Sequence, residues 1–160
     1  MKMKLFSKLV PCVLLAAGVF LASCDKNDNN NNNGQMYTVS GNGSGTQVVP
    51  VVTTTGSSTL TGTYNSNTKV LQYNIAWTGL VATADSVRFY GPASTGTNAA
   101  GNAQVRAAIT TPGISGSATG TATLTAQQQT DLLAGNWYYT VSNATYLNGE
   151  LRGQITTVVQ

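Results

Sequence analysis

Val70-Leu71-Gln72-Tyr73-Asn74-Ile75-Ala76-Trp77-Thr78 is the stretch that decides the fold. Successive side chains of an extended chain point to opposite faces. Leu71, Tyr73, Ile75 and Trp77 therefore share one face, and Gln72, Asn74 and Ala76 share the other. A period of two with one apolar side predicts a half-buried strand.

The same period continues on both sides. Upstream, Thr59 to Tyr64 reads as a Thr-rich strand, and Asn65-Ser66-Asn67-Thr68 has the chemistry of a hairpin turn. Downstream, Val87 and Phe89 alternate with Ser86, Arg88 and Tyr90. Val105, Ala107 and Ile109 alternate with Gln104, Arg106 and Ala108, as in one strand, and Ser117 to Leu124 forms another. Trp137, Tyr139 and Val141 alternate with Tyr138, Thr140 and Ser142, which puts Tyr138 on the face away from the core. Leu151, Gly153 and Ile155 begin the last strand. Short strands at regular spacing, separated by Gly, Ser and Asn, predict an all-β fold, an antiparallel sandwich or barrel. One short helix near Ala126–Ala134 interrupts it. Thr125 and Gln128 fit a capping box, Leu132 and Leu133 supply the apolar stripe, and Gly135 fits the terminator position. So short a helix cannot stand alone and should pack across one end of the sheets.

The composition narrows the chemistry. The 160 residues include 24 Thr, 15 Asn and 17 Gly, but only 8% are charged and none is His. Without His there is no imidazole base and no histidine-ligated metal, and no serine triad of the usual kind. No cofactor is expected. No Gly-Lys-Ser/Thr phosphate loop occurs, and the Gly-rich run from Gly41 to Gly45 reads as a turn.

The N-terminus reads as an address. Lys2, Lys4 and Lys8 precede an apolar run, Leu9 to Leu21, that ends in Leu21-Ala22-Ser23-Cys24. This is the pattern of a secretory signal peptide, and the run falls short of the ~20 residues a membrane-spanning helix needs. Leu-Ala-Ser-Cys also resembles the bacterial lipobox. That resemblance implies a signal peptide over 1–23, with Cys24 acylated by diacylglycerol and left as the first residue. The expected partner is thus the membrane, reached through the acyl groups on Cys24, and the expected location is the cell envelope at the outer membrane. Loss of Lys2, Lys4 and Lys8 leaves Lys26, Lys69, Arg88, Arg106 and Arg152 against Asp25, Asp28, Asp85, Asp131 and Glu150, which is net zero. A neutral domain gives no electrostatic reason to bind nucleic acid.

Residues 24–35 contain Asp-Lys-Asn-Asp followed by a run of Asn and read as a flexible tether, too polar to repay ordering. Asp25 and Asp28 partly resemble the acidic export signals of Bacteroidetes surface lipoproteins. Surface-exposed and periplasm-facing orientations both stay open. Asp85-Ser86-Val87 resembles a short O-glycosylation signal from the same group, although a strand is a poor acceptor.

Residues 36–160 form the folded domain, and several pieces of it resemble the chordin-type, or CHRD, domain. These are Thr46-Gln47-Val48-Val49-Pro50, the Leu71 to Leu80 strand and step, Arg88-Phe89-Tyr90-Gly91-Pro92-Ala93, Asp131-Leu132-Leu133-Ala134-Gly135-Asn136, and Tyr146-Leu147-Asn148-Gly149-Glu150-Leu151-Arg152-Gly153-Gln154-Ile155. The resemblance covers about Tyr37 to Ile155. It implies an immunoglobulin-like β-barrel, faintly similar to copper-zinc superoxide dismutases, in a family whose biochemical role is undefined. In chordin itself the domain belongs to an extracellular protein that binds signalling ligands. Three histidines of the family correspond here to Arg88, Tyr90 and Ser142, so any metal site built on them is gone.

The candidate binding surface is Arg88, Tyr90, Ser142, Glu150 and Arg152. Asn148-Gly149 supplies a tight turn. Glu150 and Arg152, two apart on a strand, are expected to share a face and enter a cross-strand ion pair. One lone carboxylate cannot do paired acid–base chemistry. The leading function is therefore a non-catalytic, lipid-anchored binding or structural domain, with an envelope protein or a glycan as ligand. A carbohydrate-binding module on Tyr90, Tyr138, Tyr139 and Tyr146 is the alternative, and an enzyme related to superoxide dismutase or to metal-dependent hydrolases is a weaker one.

Overall fold

A computed structural model describes residues 34–160. The signal segment 1–23, Cys24 and the tether as far as residue 33 lie outside the described residues. The strands are β1 (Met36–Ser44), β2 (Ser57–Asn65), β3 (Val70–Thr78), β4 (Ala84–Tyr90), β5 (Val105–Ala107), β6 (Ile109–Thr111), β7 (Gly116–Thr123), β8 (Tyr138–Asn143), β9 (Leu151–Gln154) and β10 (Thr156–Val159). One helix, α1 (Ala126–Leu133), lies between β7 and β8.

All strand pairs are antiparallel, and they follow one path, β5-β4-β8-β9-β1-β2-β3-β7-β6, with β10 added beside β1. β5 and β6 stand at opposite ends of this path, yet only Ala108 separates them in sequence. The sheet therefore curls round until its two ends nearly meet. The all-β expectation holds, in the form of a nearly closed barrel.

The alternation read from the sequence becomes burial. Leu71, Tyr73, Ile75 and Trp77 of β3 are buried and the residues between them are exposed. Trp77 and Trp137 join one core with Phe89, Tyr139, Val141, Leu151 and Ile155. Tyr73 and Phe89 meet at 4.9 Å between ring centres, and Phe89 and Trp137 at 6.4 Å.

Three expectations need correction. The run from Val105 to Ile109 is two strands, since Ala108 is where the chain leaves the β4 end of the path for the β7 end. The last strand is likewise two, broken at Ile155, which turns into the core while β10 moves on to pair with β1. Gly41 to Ser44 is strand, and the turn, a 3-10 turn, starts only at Gly45. Packing explains the glycines there. A Cβ at Gly41 would lie 3.2 Å from Cε1 of Tyr139, and one at Gly153 on β9 only 2.5 Å from it. The Tyr139 ring occupies the space a side chain at Gly153 would take, and at Gly41 the Gln154 carbonyl, 2.8 Å from that Cβ, is nearer still.

The helix forms as its ends require. The Thr125 hydroxyl accepts from the Gln128 amide at 3.2 Å, and the Gln128 side chain accepts from the Thr125 amide at 2.8 Å. Gly135 has φ +74°, the left-handed terminator that glycine adopts without penalty. Leu132 enters the core, and Gln128 donates to the Gln104 side chain, tying the helix to the segment before β5.

Candidate functional site

Every residue of β8 is buried, including the three expected on its outer face. Two irregular segments cover that face. One is the stretch after β1, where Pro50 lies in a cis peptide bond with Val49; the other follows β4, where Pro92 lies in a cis bond with Gly91. The two are tied together by the Asn98 side chain, which donates to the Val49 carbonyl at 3.0 Å. The Ala99 amide donates to the Tyr138 hydroxyl at 3.2 Å, and the Ala93 amide to the Asn136 carbonyl at 2.8 Å. Tyr138 is thus buried beneath loops, and the expectation that it faces away into solvent is wrong.

Register lines up the polar residues of this face, from exposed Arg106 at its open end to buried Arg152 under the cover. Arg106 pairs with Arg88, Arg88 with Thr140, and Thr140 with Arg152. Directly opposed residues on antiparallel strands share a face with Cβ atoms ~5 Å apart. One row across β5, β4, β8 and β9 therefore reads Arg-Arg-Thr-Arg. Residues 34–160 contain four cationic side chains, and this row holds three of them. The neighbouring row is Tyr90, Tyr138 and Gln154. Tyr90 and Tyr138 stack at 5.4 Å, and the Arg152 guanidinium lies 3.8 Å from the Tyr138 ring centre.

Between the sheet and the loops is a polar pocket of about 240 Å³. Tyr90, Tyr138, Thr140 and Arg152 line its sheet side, and Val48, Asn98 and Asn148 are among its loop residues. The Thr140 hydroxyl is buried and has no hydrogen-bond partner in the protein, and the same is true of the Ser142 hydroxyl and of Nε of Arg88. Buried polar atoms are satisfied in the great majority of cases, so three orphans on one face mark it out.

Arg152 is 2% exposed. Its guanidinium donates to the Gln47 carbonyl at 3.4 Å, the Ser94 carbonyl at 3.2 Å and the Gln154 side-chain oxygen at 3.2 Å. A guanidinium has five N–H donors, so these three bonds leave two. Burial lowers the Arg152 pKa from its ordinary value, and the charge of Tyr138 acts the other way.

Glu150 belongs to a separate cluster. It is fully buried and accepts from the Val81 amide at 3.1 Å, from the Thr54 hydroxyl and from the Asn143 side chain. Asn143 in turn accepts from the amides of Thr145 and Tyr146 at 3.1 and 2.9 Å, fixing the turn before β9. The expected cross-strand ion pair does not form, since Glu150 and Arg152 each have only neutral hydrogen-bond partners. The two residues have no partner in common, because Glu150 holds a turn with neutral donors while Arg152 lies under the loops.

Of the five residues singled out from the sequence, Tyr90 and Arg152 line the pocket. Arg88 stands beside Thr140 at its edge, and Ser142 is on the same face two residues further along β8. Glu150 lines no part of it. Thr140 was missed, because alternation alone reads it as part of an exposed face, and Tyr138 entered only through the carbohydrate-binding alternative. A signal was present: four of the seven residues from Trp137 to Asn143 are apolar or aromatic, and Trp137-Tyr138-Tyr139 puts large aromatic side chains on both faces of the chain in succession, which is unusual for a one-sided strand. The tyrosines proposed as a sugar-stacking strip are not one strip. Tyr139 is inside the core, Tyr90 and Tyr138 stack on each other, and Tyr146 is in the turn before β9. Ser86 of the short glycosylation signal sits in β4, paired with Ser142.

Among the described residues no group of three or more His, Cys, Asp or Glu could hold a metal ion, and no helix is long and apolar enough to cross a membrane.

An antiparallel barrel whose outer face carries a loop-covered polar pocket is the class that fold and site define. The CHRD domain family matches residues 39–155, nearly the span read from the sequence motifs. The chain belongs to the CHRD family. No curated protein and no solved structure matches it.

Proposed function

We propose that this chain is a lipid-anchored protein of the cell envelope whose CHRD domain binds a ligand or builds structure and does not catalyse. A CHRD domain suggests a binding or structural role. The observation that carries the reading is the chemistry of the pocket. Its sheet side offers hydroxyls, phenols and a guanidinium, while Glu150, the acid closest to it in sequence, is fully engaged in holding a turn. Such a set recognises a ligand, but it supplies no pair of groups for acid–base work.

The anchoring half rests on Leu21-Ala22-Ser23-Cys24 and the polar stretch that follows. Acylation of Cys24 would hold the domain at the membrane, with residues 24–35 as spacer. One acyl chain binds a membrane only marginally and two or more bind it stably, which is why a diacylglyceryl cysteine suffices without a basic patch. Membrane fractionation tests this. The chain should sediment with membranes and incorporate labelled fatty acid, and the Cys24→Ala chain should do neither. If the Cys24→Ala protein, once exported and cleaved, still sediments with membranes, the anchor lies elsewhere and the reading fails.

A further inference from the structure

The outer face of β4, β8 and β9 carries positive charge that nothing in the described residues balances. Arg106, Arg88 and Arg152 share one cross-strand row, with only Thr140 between the last two. Like charges directly opposed on a sheet repel; Arg106 is exposed and solvent screens its side of the pair, while Arg88 is half-buried and keeps more of that cost. Arg152 is almost completely buried, and its partners are two carbonyls, an amide oxygen and an aromatic ring. Buried charges are normally paired with an opposite charge. No ion pair is formed by these arginines among the described residues, and no carboxylate lines the pocket beside them.

Unpartnered buried polar atoms add to this. Nε of Arg88 and the hydroxyls of Thr140 and Ser142 are buried without partners. The Tyr138 oxygen accepts from the Ala99 amide, which leaves its own O–H free to donate. The pocket is roomy enough, at about 240 Å³, for a small organic acid or a monosaccharide-sized group.

We propose that the pocket bounded by Tyr90, Tyr138, Thr140 and Arg152 binds a small oxyanion, a carboxylate, sulfate or phosphate group borne by its ligand. The planar guanidinium fork matches all three. Arg152 would supply charge from the floor, Arg88 from the edge, and Thr140 a hydroxyl between them. The proposal rests on reading the domain as a binding module and names the chemistry that the module takes.

The test is a nuclear magnetic resonance titration of the full chain in detergent with sodium acetate, sodium glucuronate, sodium sulfate and sodium phosphate. Each is compared with sodium chloride at equal ionic strength. At least one oxyanion should give saturable shifts centred on the amides of Tyr90, Ala99, Thr140 and Arg152, and the four salts tell carboxylate from sulfate from phosphate. Arg88→Gln should weaken that binding at least tenfold. Because an Arg152 variant could fail to fold, Thr140→Val serves as the second variant. It keeps the shape of the side chain, removes the orphan hydroxyl, and should weaken binding several-fold in a folded chain. Saturation by none of the four salts beyond chloride overturns the proposal, as do saturable shifts centred elsewhere or unchanged affinity in both variants. Failure of the titration while Cys24-dependent sedimentation persists removes the oxyanion and leaves the anchored domain. Saturable binding in a chain that never sediments does the reverse.

Discussion

The guanidinium of Arg152 lies 3.8 Å from the centre of the Tyr138 ring, on the side of β8 that alternation assigns to solvent. Tyr138 is 4% exposed and Arg152 is 2% exposed. The sheet therefore packs on both faces here, with the apolar core inside and a polar layer beneath the loops outside.

Truncation of Tyr138 should consequently be costly. Trp137→Ala empties a core position and should cost ~3–5 kcal/mol. Tyr138→Ala removes a ring held by Tyr90 and Arg152 and should cost at least ~2 kcal/mol, while Tyr138→Phe, which loses only the Ala99 hydrogen bond, should cost about 1. Urea denaturation of the three variants measures this. A Tyr138→Ala cost below that of Tyr138→Phe would mean that the loops do not cover β8.

Glu150 is expected to be a structural residue. Glu150→Ala removes the shared acceptor of the Thr54 hydroxyl, the Val81 amide and the Asn143 side chain, and leaves fully buried Asn143 only its 3.4 Å bond to the Ala82 carbonyl. Weakening the bonds of a buried donor costs ~1–3 kcal/mol, so the variant should lose about that much, a large share of what a small domain has. Oxyanion binding by whatever fraction remains folded should be unchanged. A stable Glu150→Ala domain would show that the turn is held by something else.

Gly153 is expected to tolerate no side chain. Its Cβ would come 2.5 Å from Cε1 of Tyr139. Overpacking of this kind costs ~1–3 kcal/mol. The double variant Gly153→Ala, Tyr139→Leu should be destabilised by less than the sum of the two single changes, because the smaller side chain vacates the contested space. Strict additivity in thermal melts would show that the two residues do not meet.

Alkaline pH should unfold the domain through Tyr139. Burial pushes its pKa up from 10.0 to about 12, with the Ser58 hydrogen bond pulling it slightly down. Burial raises Tyr64 and Tyr73 in the same direction. A phenol with a raised folded pKa keeps its proton in the folded state after the unfolded chain has released it. Stability is therefore full below pH 10 and falls as pH rises from 10 towards 12, at about 1.4 kcal/mol per pH unit for one group. Tyr139→Phe should flatten this fall between pH 10 and 12, although it lowers stability at neutral pH by loss of the Ser58 bond. An unchanged slope in denaturation midpoints would assign the transition to other groups.

Much of this protein was determined by its sequence alone, for a physical reason. The strand Val70 to Thr78, the burial of Trp77 and Trp137, the capping box at Thr125 and the CHRD motifs near the C-terminus are all local signals, read from side-chain period or from residues a few positions apart. Tertiary structure decided what depends on residues distant in sequence. The break at Ala108 exists because the two ends of the sheet meet there, and no property of Ala108 announces it. The glycine at Gly153 is set by Tyr139 of another strand, and that at Gly41 by the Gln154 backbone and the same tyrosine. Glu150 and Arg152, neighbours by two, were separated because loops far along the chain brought each a different set of partners. The row of Arg106, Arg88, Thr140 and Arg152 was equally hidden, since strand order and register place side by side four residues that span 64 positions of chain.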